Sequence, residues 1–279
     1  MASGNSETNM IQDNLQEFVS LFSKTILDGD EVHPRGQMIR EVRDAQIVLH
    51  PSYPFQTFEN RKYDVEYFKK EMRWKLGASK MDDSIKSAAK MWESVQNPDG
   101  SFNSNYGQYW FGQQMGLMKA VFELIRDKDS RRACIPMLRD DHLSPETKDT
   151  VCTECVTFHI RHNVLHMSVH MRSSDQIFGL GTDVPTFSVL LYLALGMLRD
   201  SYPGLKAGRI TLTAASSHIY QRHFEVVRKI LGEYFNPETA VHLPEPYSAE
   251  ECLAIIADRG VLRTANLSDK WELYRFIYG

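Results

Sequence analysis

The strongest constraint on the fold is a stretch of two-residue periodicity between Val156 and Met171. Apolar and polar side chains alternate on both sides of a short break at residues 161–164. This alternation is typical of two antiparallel strands that bury one face. The almost wholly apolar run at residues 185–198 follows, and it predicts a buried helix rather than an amphipathic surface helix. The sequence therefore predicts a sheet with at least one helix packed in its core.

The rest of the chain alternates between helical and strand-like segments without a repeat, a low-complexity tract or a linker. Helices are predicted over residues 14–27, 63–76, 85–95, 113–125, 217–234 and 249–259, and strands over 46–49, 133–138 and 210–213. Asp183, two residues before Pro185, is predicted to cap the apolar helix. We predict a single α+β domain over residues 1–279, with a core at about 30–236 and a C-terminal tail at 237–279.

Composition narrows the function classes. A chain of 279 residues with 42% apolar and 24% charged residues has the make-up of a soluble globular protein. The formal charge of −4 provides no broad basic field, so nucleic acid is not an expected partner. No apolar run approaches about 18–20 residues, so no membrane span is predicted. Residues 1–14 are polar and lack the apolar core of a signal peptide.

The four cysteines are too few for a disulfide scaffold in a chain of this length, which favours a reducing cytoplasm. Cys152 and Cys155 are spaced like zinc ligands or a redox dithiol. A zinc site would need a second matching pair, and Cys134 and Cys252 are isolated. A redox dithiol would precede a helix, whereas this pair precedes an alternating strand. We therefore predict no metal site and interpret Cys152 as a nucleophile, provided that a nearby cation such as Arg172 favours its thiolate.

Several other reactive residue types accompany Cys152 at fixed spacings. The run Arg172-Ser173-Ser174-Asp175 begins twenty positions later, and Gly179, Asp183 and His218-Ile219-Tyr220 follow it. Upstream lie Glu71 within a predicted helix, Trp92, Tyr106-Gly107, and Arg131-Arg132. In this order and at these spacings the residues resemble the motifs of the thymidylate synthase superfamily, over roughly residues 35–220.

The departures from the synthase pattern point to one branch of that superfamily. Synthases read uracil with an asparagine, and Asp183 stands at that position here. Thr153 and Thr157 replace the usual histidine and glutamine that follow the nucleophile. With these changes the chain resembles the deoxycytidylate hydroxymethylases of bacteriophages. The synthase-type C-terminal tail has no recognisable counterpart in residues 272–279.

The carboxylate of Asp183 has a physical meaning at a base-reading position. Cytosine presents an amino donor at position 4 and a bare acceptor at N3. A carboxylate accepts from the amino group and favours a proton on N3, whereas it would meet uracil O4 as an unpaired acceptor. Mispairing a buried polar group costs about 1–3 kcal/mol. Asp183 therefore favours cytosine, although an asparagine can also be turned to fit it.

The resemblance implies a large twisted mixed β-sheet flanked by helices, which dimerises through the sheet face. It implies deoxycytidylate 5-hydroxymethyltransferase activity, with 5,10-methylenetetrahydrofolate as co-substrate and 5-hydroxymethyl-dCMP and tetrahydrofolate as products. The implied catalytic residues are Cys152, Glu71, Asp183 and Arg172. The implied nucleotide-binding residues are Arg35, Arg131, Arg132, Arg172, Ser173, Asp183, His218 and Tyr220, and the implied folate-binding residues are Glu71, Trp92, Tyr106, Asp175 and Gly179. Arg131 and Arg132 are implied to reach the partner's phosphate in a cytoplasmic homodimer, in the host cytoplasm if the protein is phage-encoded.

Other functions remain open at this point. The ribonucleotide CMP could replace dCMP, because the sequence does not show whether a 2′-hydroxyl fits. A pyrimidine methylase of the synthase type and a non-catalytic nucleotide-binding or RNA-binding relative are further alternatives. The mass of the product and the effect of Cys152→Ser distinguish them.

Overall fold

The computed structural model describes residues 9–12, 14–61, 63–233, 235–258 and 268–279. Its helices are α1 (Leu15–Leu27), α2 (Val65–Leu76), α3 (Met91–Val95), α4 (Gly107–Trp110), α5 (Gly116–Arg126), α6 (Gly179–Arg199), α7 (Phe224–Ile230), α8 (Ala249–Asp258) and α9 (Glu272–Tyr278). Its strands are β1 (Asn9–Gln12), β2 (Asp30–Val32), β3 (Ile39–Leu49), β4 (Cys134–Pro136), β5 (Thr153–Arg161), β6 (Val164–Met171), β7 (Ser174–Asp175) and β8 (Lys206–Tyr220).

The chain forms two compact units. The first unit comprises Met1–Tyr63, Ser168–Val189 and Gly208–Leu243, and the second comprises Asp64–Met167, Leu190–Ala207 and Pro244–Gly279. The segments β6, α6 and β8 contribute residues to both units. The single domain with its boundaries at about 30–236 and 237–279 stays a prediction.

The first unit is built on the long strand β8. It pairs antiparallel with β3, from Ile39 opposite Tyr220 to Leu49 opposite Ile210. β1 lies parallel to β3 on its other side, and β7 lies parallel to β8. The sheet is therefore mixed. Helix α1 packs against β3 with a buried stripe at helical spacing, namely Leu15, Phe18, Val19, Phe22 and Ile26.

The second unit contains the predicted hairpin. His162 and Asn163 have φ angles of 50° and 60°, the left-handed conformation that a two-residue turn of type I′ needs at both central positions. The flanking strands β5 and β6 bury alternate side chains, as the sequence predicted. β4 extends the sheet by pairing antiparallel with β5, with Ile135 opposite Val156. The prediction of an α+β fold with a mixed sheet flanked by helices is thus confirmed.

One predicted helix, residues 85–95, is wrong as a continuous element. A short 3-10 turn at Ser84–Ser87 and the five-residue α3 replace it. The reason is tertiary: Ile85 and Trp92 pack into an aromatic cluster with Trp74 and Phe102, where ring centroids lie 5.1–6.0 Å apart. Burying both side chains against the same partners outweighs the local helical pattern.

The predicted helix at residues 217–234 is also wrong in its first half. β8 continues to Tyr220, because its last residues pair with β3 on one side and β7 on the other. The helix there is α7, which begins at Phe224; residue 234 lies outside the described part of the chain. Ser217, His218 and Tyr220 therefore project from a strand, on which neighbouring side chains point to opposite faces.

The predicted capping role of Asp183 is wrong as well. α6 begins at Gly179, so Asp183 is its fifth residue and Pro185 lies inside the helix. Pro185 had been predicted to stand at the start of the helix, where the missing N–H of a proline breaks no hydrogen bond. Instead it removes one backbone hydrogen bond near the start of the helix. Asp183 therefore lies within α6 and not before its first residue.

The other predicted helices and strands are present with different ends, whereas β1, β2, β7, α4 and α9 were not predicted. β3 is longer than the predicted strand, α5 begins at Gly116, and β4 is shorter than predicted. α8 matches the predicted helix up to Asp258, and residue 259 lies outside the described chain. By length and composition α6 could cross a membrane, but 89% of its apolar window is buried inside the protein, as in a core helix.

Candidate functional site

The first unit brings together several residues predicted to bind the nucleotide and folate. Asp175 on β7 is the register partner of His218 on β8, and the backbone N–H of Gln176 donates to the His218 carbonyl over 2.9 Å. The His218 ring stands edge-on to the Tyr220 ring, with centroids 5.1 Å apart. Arg172 is half-buried and close enough to His218 to affect its ionisation. Pairing of β7 with β8 thus joins the Arg172–Asp175 motif to the His218–Tyr220 motif.

His218 is held neutral and keeps one ring nitrogen available. Burial lowers its pKa, against the opposing effects of Asp175 and Glu41. Only 5% of the residue is exposed, and its Nδ1 atom is buried without a hydrogen-bond partner among the described residues. A buried polar atom of this kind normally has a partner, so a ligand hydroxyl would satisfy it. The nucleotide-binding role of His218 stays a prediction.

Gly179 and Asp183 lie on the first turn and a half of α6, beside Asp175. A side chain at Gly179 would place its Cβ 3.3 Å from the Asp175 Cβ and 3.9 Å from the Asp183 Oδ2 atom. The Asp175 carboxylate accepts a hydrogen bond from the Ile177 N–H over 3.0 Å. Gly179 therefore allows the backbone of α6 to approach Asp175 closely, and the side chains of Asp175 and Asp183 are both half-buried there.

Arg35 is placed differently from these residues. It is exposed on the turn Pro34–Gly36, in a left-handed conformation with φ of 50°. Among the described residues no hydrogen bond or ion pair joins its side chain to another group. Its predicted phosphate contact remains a prediction.

The first unit also contains two buried polar residues that the sequence analysis did not single out. Gln56 is fully buried and Arg61 is 8% exposed. Among the residues that the structure describes, both Gln56 amide atoms and the Arg61 Nε and Nη1 atoms have no hydrogen-bond partner. The Arg61 guanidinium lies 4.8 Å from the Phe178 ring centroid, and burial lowers its pKa. A Cβ at Gly181 would lie 3.3 Å from Gln56 and 3.4 Å from Arg61. No local sequence pattern indicates that Gln56 and Arg61 are buried polar residues near the candidate site.

The second unit places Cys152 directly before β5 and half-buried. The next residue, Thr153, is fully buried, and its hydroxyl donates a 3.2 Å hydrogen bond to the hydroxyl of Tyr106. The chain that leads to Cys152 is anchored through Asp149, which accepts from the Ser104 N–H over 2.7 Å. The Asn103 side chain adds a bond to the Asp149 carbonyl over 3.0 Å. The segment at residues 103–106, just before α4, therefore helps to fix the position of the candidate nucleophile.

Glu71 is buried on α2, and its partner is a lysine that the sequence analysis missed. Lys75 Nζ lies 2.7 Å from the Glu71 Oε1 atom, and the two side chains are 2% and 7% exposed. Lys75 Nζ also lies 5.1 Å from the centroid of the Tyr106 ring. The i,i+4 spacing of Glu71 and Lys75 could have indicated this ion pair from the sequence. On most helices, however, such a spacing belongs to a pair that is exposed to solvent.

Trp92 is only partly suited to its predicted contact with folate. It is 6% exposed, and its indole N–H already donates to the Tyr67 hydroxyl over 3.1 Å. Trp92 can therefore offer a ring edge but no free N–H donor.

Arg131 and Arg132 are exposed just before β4. The backbone N–H of Arg132 donates a hydrogen bond to the Ser130 hydroxyl.

The cysteines differ in exposure: Cys134 is exposed, Cys152 and Cys155 are half-buried, and Cys252 is buried. All four are free thiols. Burial raises the pKa of Cys155 to about 11, with a further contribution from neighbouring Cys134. Burial also raises the pKa of Cys252. In the described part of the chain, no three His, Cys, Asp or Glu side chains are grouped so that they could hold a metal ion.

Comparison with known proteins decides the family. The family profile described as "Thymidylate synthase" matches residues 16–254. The chain belongs to the thymidylate synthase family. Thymidylate synthase family members are folate-dependent one-carbon transferases that use methylenetetrahydrofolate and a nucleoside monophosphate. The fold described above is accordingly the thymidylate synthase fold.

The names of individual relatives give different activities. The "Deoxycytidylate 5-hydroxymethyltransferase" of Enterobacteria phage T4 is 31% identical over 171 residues, covering 58% of this chain and 70% of the relative. The "Deoxyuridylate hydroxymethyltransferase" of Bacillus phage SP01 is 24% identical over 238 residues, covering 78% and 61% respectively. The "Thymidylate synthase" of Fusobacterium nucleatum is 28% identical over 169 residues, covering 59% of each chain.

Proposed function

We propose that this protein is a cytoplasmic deoxycytidylate 5-hydroxymethyltransferase, which moves the one-carbon unit of 5,10-methylenetetrahydrofolate to C5 of dCMP and adds water. The observation that carries the proposal is a carboxylate, Asp183, where the uracil-reading members of the thymidylate synthase family have an amide. The name of the phage T4 relative supports the same substrate. Asp183 is half-buried on the first turn and a half of α6, close to Gly179.

Cytosine recognition by Asp183 would assist the chemistry as well as the binding. The carboxylate accepts from the 4-amino group and favours a proton on N3. A protonated N3 draws electron density from C6, where the Cys152 thiolate adds. Arg172 would hold the 5′-phosphate together with Ser173, and would favour the thiolate form of Cys152.

The sugar contacts follow from the neutral state of His218. Its unpartnered Nδ1 atom and the nearby Tyr220 hydroxyl would bind the 3′-hydroxyl of the nucleotide. A neutral imidazole can donate to or accept from a hydroxyl, depending on its tautomer. Arg35 would add a phosphate contact from its exposed turn.

The residues present fit a folate. Gln56 and Arg61 lie close to Gly181 and have buried polar atoms that find no hydrogen-bond partner among the described residues. The exposed Phe178 ring on Arg61 offers a flat apolar surface. Asp175 and Gly179 would hold the pterin, and Glu71, Trp92 and Tyr106 would complete the folate-binding set. When bound, the folate supplies a one-carbon unit at the oxidation level of formaldehyde.

Homodimerisation completes the proposal. The face of β5 opposite the core carries half-exposed side chains, including Thr157 and His159, and would be covered by a second copy of the chain. Arg131 and Arg132 are exposed and would reach the phosphate in the partner's site. Guanidinium groups suit this role because they bind phosphate oxygens in pairs.

Product mass tests the function. The protein is incubated with 5,10-methylenetetrahydrofolate and with dCMP, CMP or dUMP in separate reactions. We expect a product heavier by CH₂O from dCMP, little product from dUMP, and none from any substrate after Cys152→Ser. Cys155→Ser is the matched control, because it removes a half-buried thiol three residues away and should retain activity. Formation of a methylated base alone would identify a synthase instead, and preferential turnover of CMP would identify the ribonucleotide enzyme.

A further inference from the structure

Lys75 is a buried cation whose position calls for an explanation. Its side chain is 2% exposed, and removing an ammonium group from water is strongly unfavourable unless other groups compensate. Two compensating contacts are present: the Glu71 carboxylate at 2.7 Å and the face of the Tyr106 ring at 5.1 Å. A hydrophobic residue at this position would be simpler for stability alone, so the charge suggests a function.

The backbone around Lys75 is built to bring Tyr106 to it. A side chain on Gly107 would place its Cβ 1.5 Å from the Lys75 carbonyl oxygen, so α4 begins in direct contact with the backbone of α2. The Asn105 side chain fastens the same junction by donating to the Trp74 carbonyl over 3.1 Å. The close approach of the two helices thus sets Tyr106 over the ammonium group.

The contacts continue from Tyr106 to the candidate nucleophile. The Tyr106 hydroxyl accepts a hydrogen bond from Thr153, and Thr153 immediately follows Cys152. Glu71, Lys75, Tyr106 and Thr153 therefore form one continuous chain of side chains, all within the second unit. Lys75 is the member that contacts both Glu71 and Tyr106.

We propose that Lys75 is a positioning residue for the water-adding step: it fixes the Glu71 carboxylate as the acceptor of the proton from water and aligns Tyr106 beside Cys152. This inference rests on the proposed function. In the step concerned, Cys152 is bonded to C6 of the nucleotide and C5 carries an exocyclic methylene. The water oxygen bonds to that methylene carbon and a water proton passes to Glu71. The electron pair of the exocyclic double bond becomes the C5–C6 double bond, and the Cys152–C6 bond breaks with its electrons returning to sulfur.

The proposal predicts which step fails when the cation is removed. Lys75→Met retains most of the side-chain volume and removes the charge. We expect hydroxymethyl-dCMP formation to fall about 10- to 100-fold in kcat, as for a misplaced proton acceptor, with the KM for dCMP changed less than about threefold. Loss of tritium from C5 of labelled dCMP should continue, because it precedes water addition. Added 2-mercaptoethanol should then react with the exocyclic methylene of the accumulated intermediate and form a thioether.

Lys70→Met is the matched control, because Lys70 lies on the same helix, carries the same charge and is exposed. It should leave both the tritium loss and the product rate unchanged. A folded Lys75→Met protein with a wild-type rate of hydroxymethylation would overturn the proposal. So would a parallel loss of tritium release and product, since that pattern indicates a general structural defect. A wild-type protein that makes no hydroxymethyl product would reject the proposed function and this step together.

A second measurement applies if Lys75→Met does not fold. Lys75→Ala leaves a cavity that a small amine can enter, and the assay is repeated with n-butylammonium or with n-butanol. Recovery of product with the ammonium ion and not with the alcohol supports a role for the charge. Equal recovery with both compounds, or recovery with neither, overturns it.

Discussion

The proposed specificity for cytosine would depend on the carboxyl group of Asp183, and replacing it by an amide tests that proposal. In Asp183→Asn the side chain keeps its size and position near the start of α6 but can no longer favour a proton on N3. We expect kcat/KM for dCMP to fall roughly 10- to 100-fold, corresponding to about 1–3 kcal/mol, while turnover of dUMP rises from its low level. Steady-state assays with both nucleotides measure the ratio. An unchanged ratio would show that another residue reads the base.

At the scale of residues, the resemblance to the thymidylate synthase superfamily implied a common site for the Arg172–Asp175 and His218–Tyr220 motifs. The two motifs lie together because β7 pairs with β8, and their roles in binding stay predictions. Lys75 could not be recognised in this way. Its spacing from Glu71 is that of an ordinary surface pair, and only the packing of Tyr106 buries it. The bond from Thr153 to Tyr106 likewise joins positions 47 residues apart, which no local pattern encodes.

At the scale of elements, a single buried carboxylate ties the C-terminal helix to the rest of the second unit. Glu251 on α8 accepts backbone hydrogen bonds from Tyr274 over 3.0 Å and from Tyr247 over 2.6 Å. α9 in turn packs on α2, where the Arg73 guanidinium donates to the Ile277 carbonyl over 3.1 Å. The C-terminal helix therefore supports the helix that carries Glu71 and Lys75.

Truncating that carboxylate should loosen α9. Glu251→Ala leaves two backbone N–H groups without their acceptors, so we expect the free energy of unfolding to fall by about 2–4 kcal/mol. Urea denaturation measures the loss, and limited proteolysis should cut near residue 268 faster than in the wild type. Glu250→Ala is the control, because the neighbouring carboxylate is exposed. Equal stability of the two variants would exclude an anchoring role for Glu251.

Element boundaries were predicted least well where tertiary pairing overrides local preference. Residues 217–220 have a sequence compatible with a helix start, yet two neighbouring strands hold them extended. Pro185 suggested a helix beginning, yet α6 starts six residues earlier, at Gly179, and Pro185 lies inside it. The hairpin β5–β6 was predicted well, because strict alternation leaves only one register that buries the apolar face.

For the whole molecule, a shared site between two copies has a distinctive consequence in mixtures. Cys152→Ser and the double variant Arg131→Ala/Arg132→Ala should each be inactive as homodimers. If the arginines serve the partner's site, random mixing by unfolding and refolding gives hybrids with one intact site, and about a quarter of wild-type activity returns. Activity is measured before and after refolding together. No recovery, with dimers demonstrated by sedimentation, would place the arginines in their own subunit's site.

The stability of the folded protein should also depend on pH through buried histidines. Burial lowers the pKa of His142 and His218 from the ordinary value of 6.5, so the unfolded chain binds protons more readily than the folded one below that pH. The stability that depends on keeping these histidines neutral is fully present above about pH 6.5. It is lost as the pH falls, by at most about 1.4 kcal/mol per pH unit for each histidine. Acid should therefore weaken both units.

A variant isolates the contribution of one histidine. His142→Gln retains a polar group opposite the Tyr109 hydroxyl, which lies 3.2 Å from the His142 ring. Urea unfolding at about pH 7.5 and about pH 5.5 should show a smaller loss of stability in this variant than in the wild type. An equal loss would mean that His142 is not the group that takes up protons on unfolding.

The contact between Gly107 and the backbone of Lys75 limits how this protein can evolve. Even alanine, the smallest chiral replacement, would place a methyl group 1.5 Å from a carbonyl oxygen and push the two helices apart. In a library containing every amino acid at position 107, selection for activity should recover only the codons for glycine. A mutational route that changes the chemistry beside the nucleophile must therefore leave this position untouched.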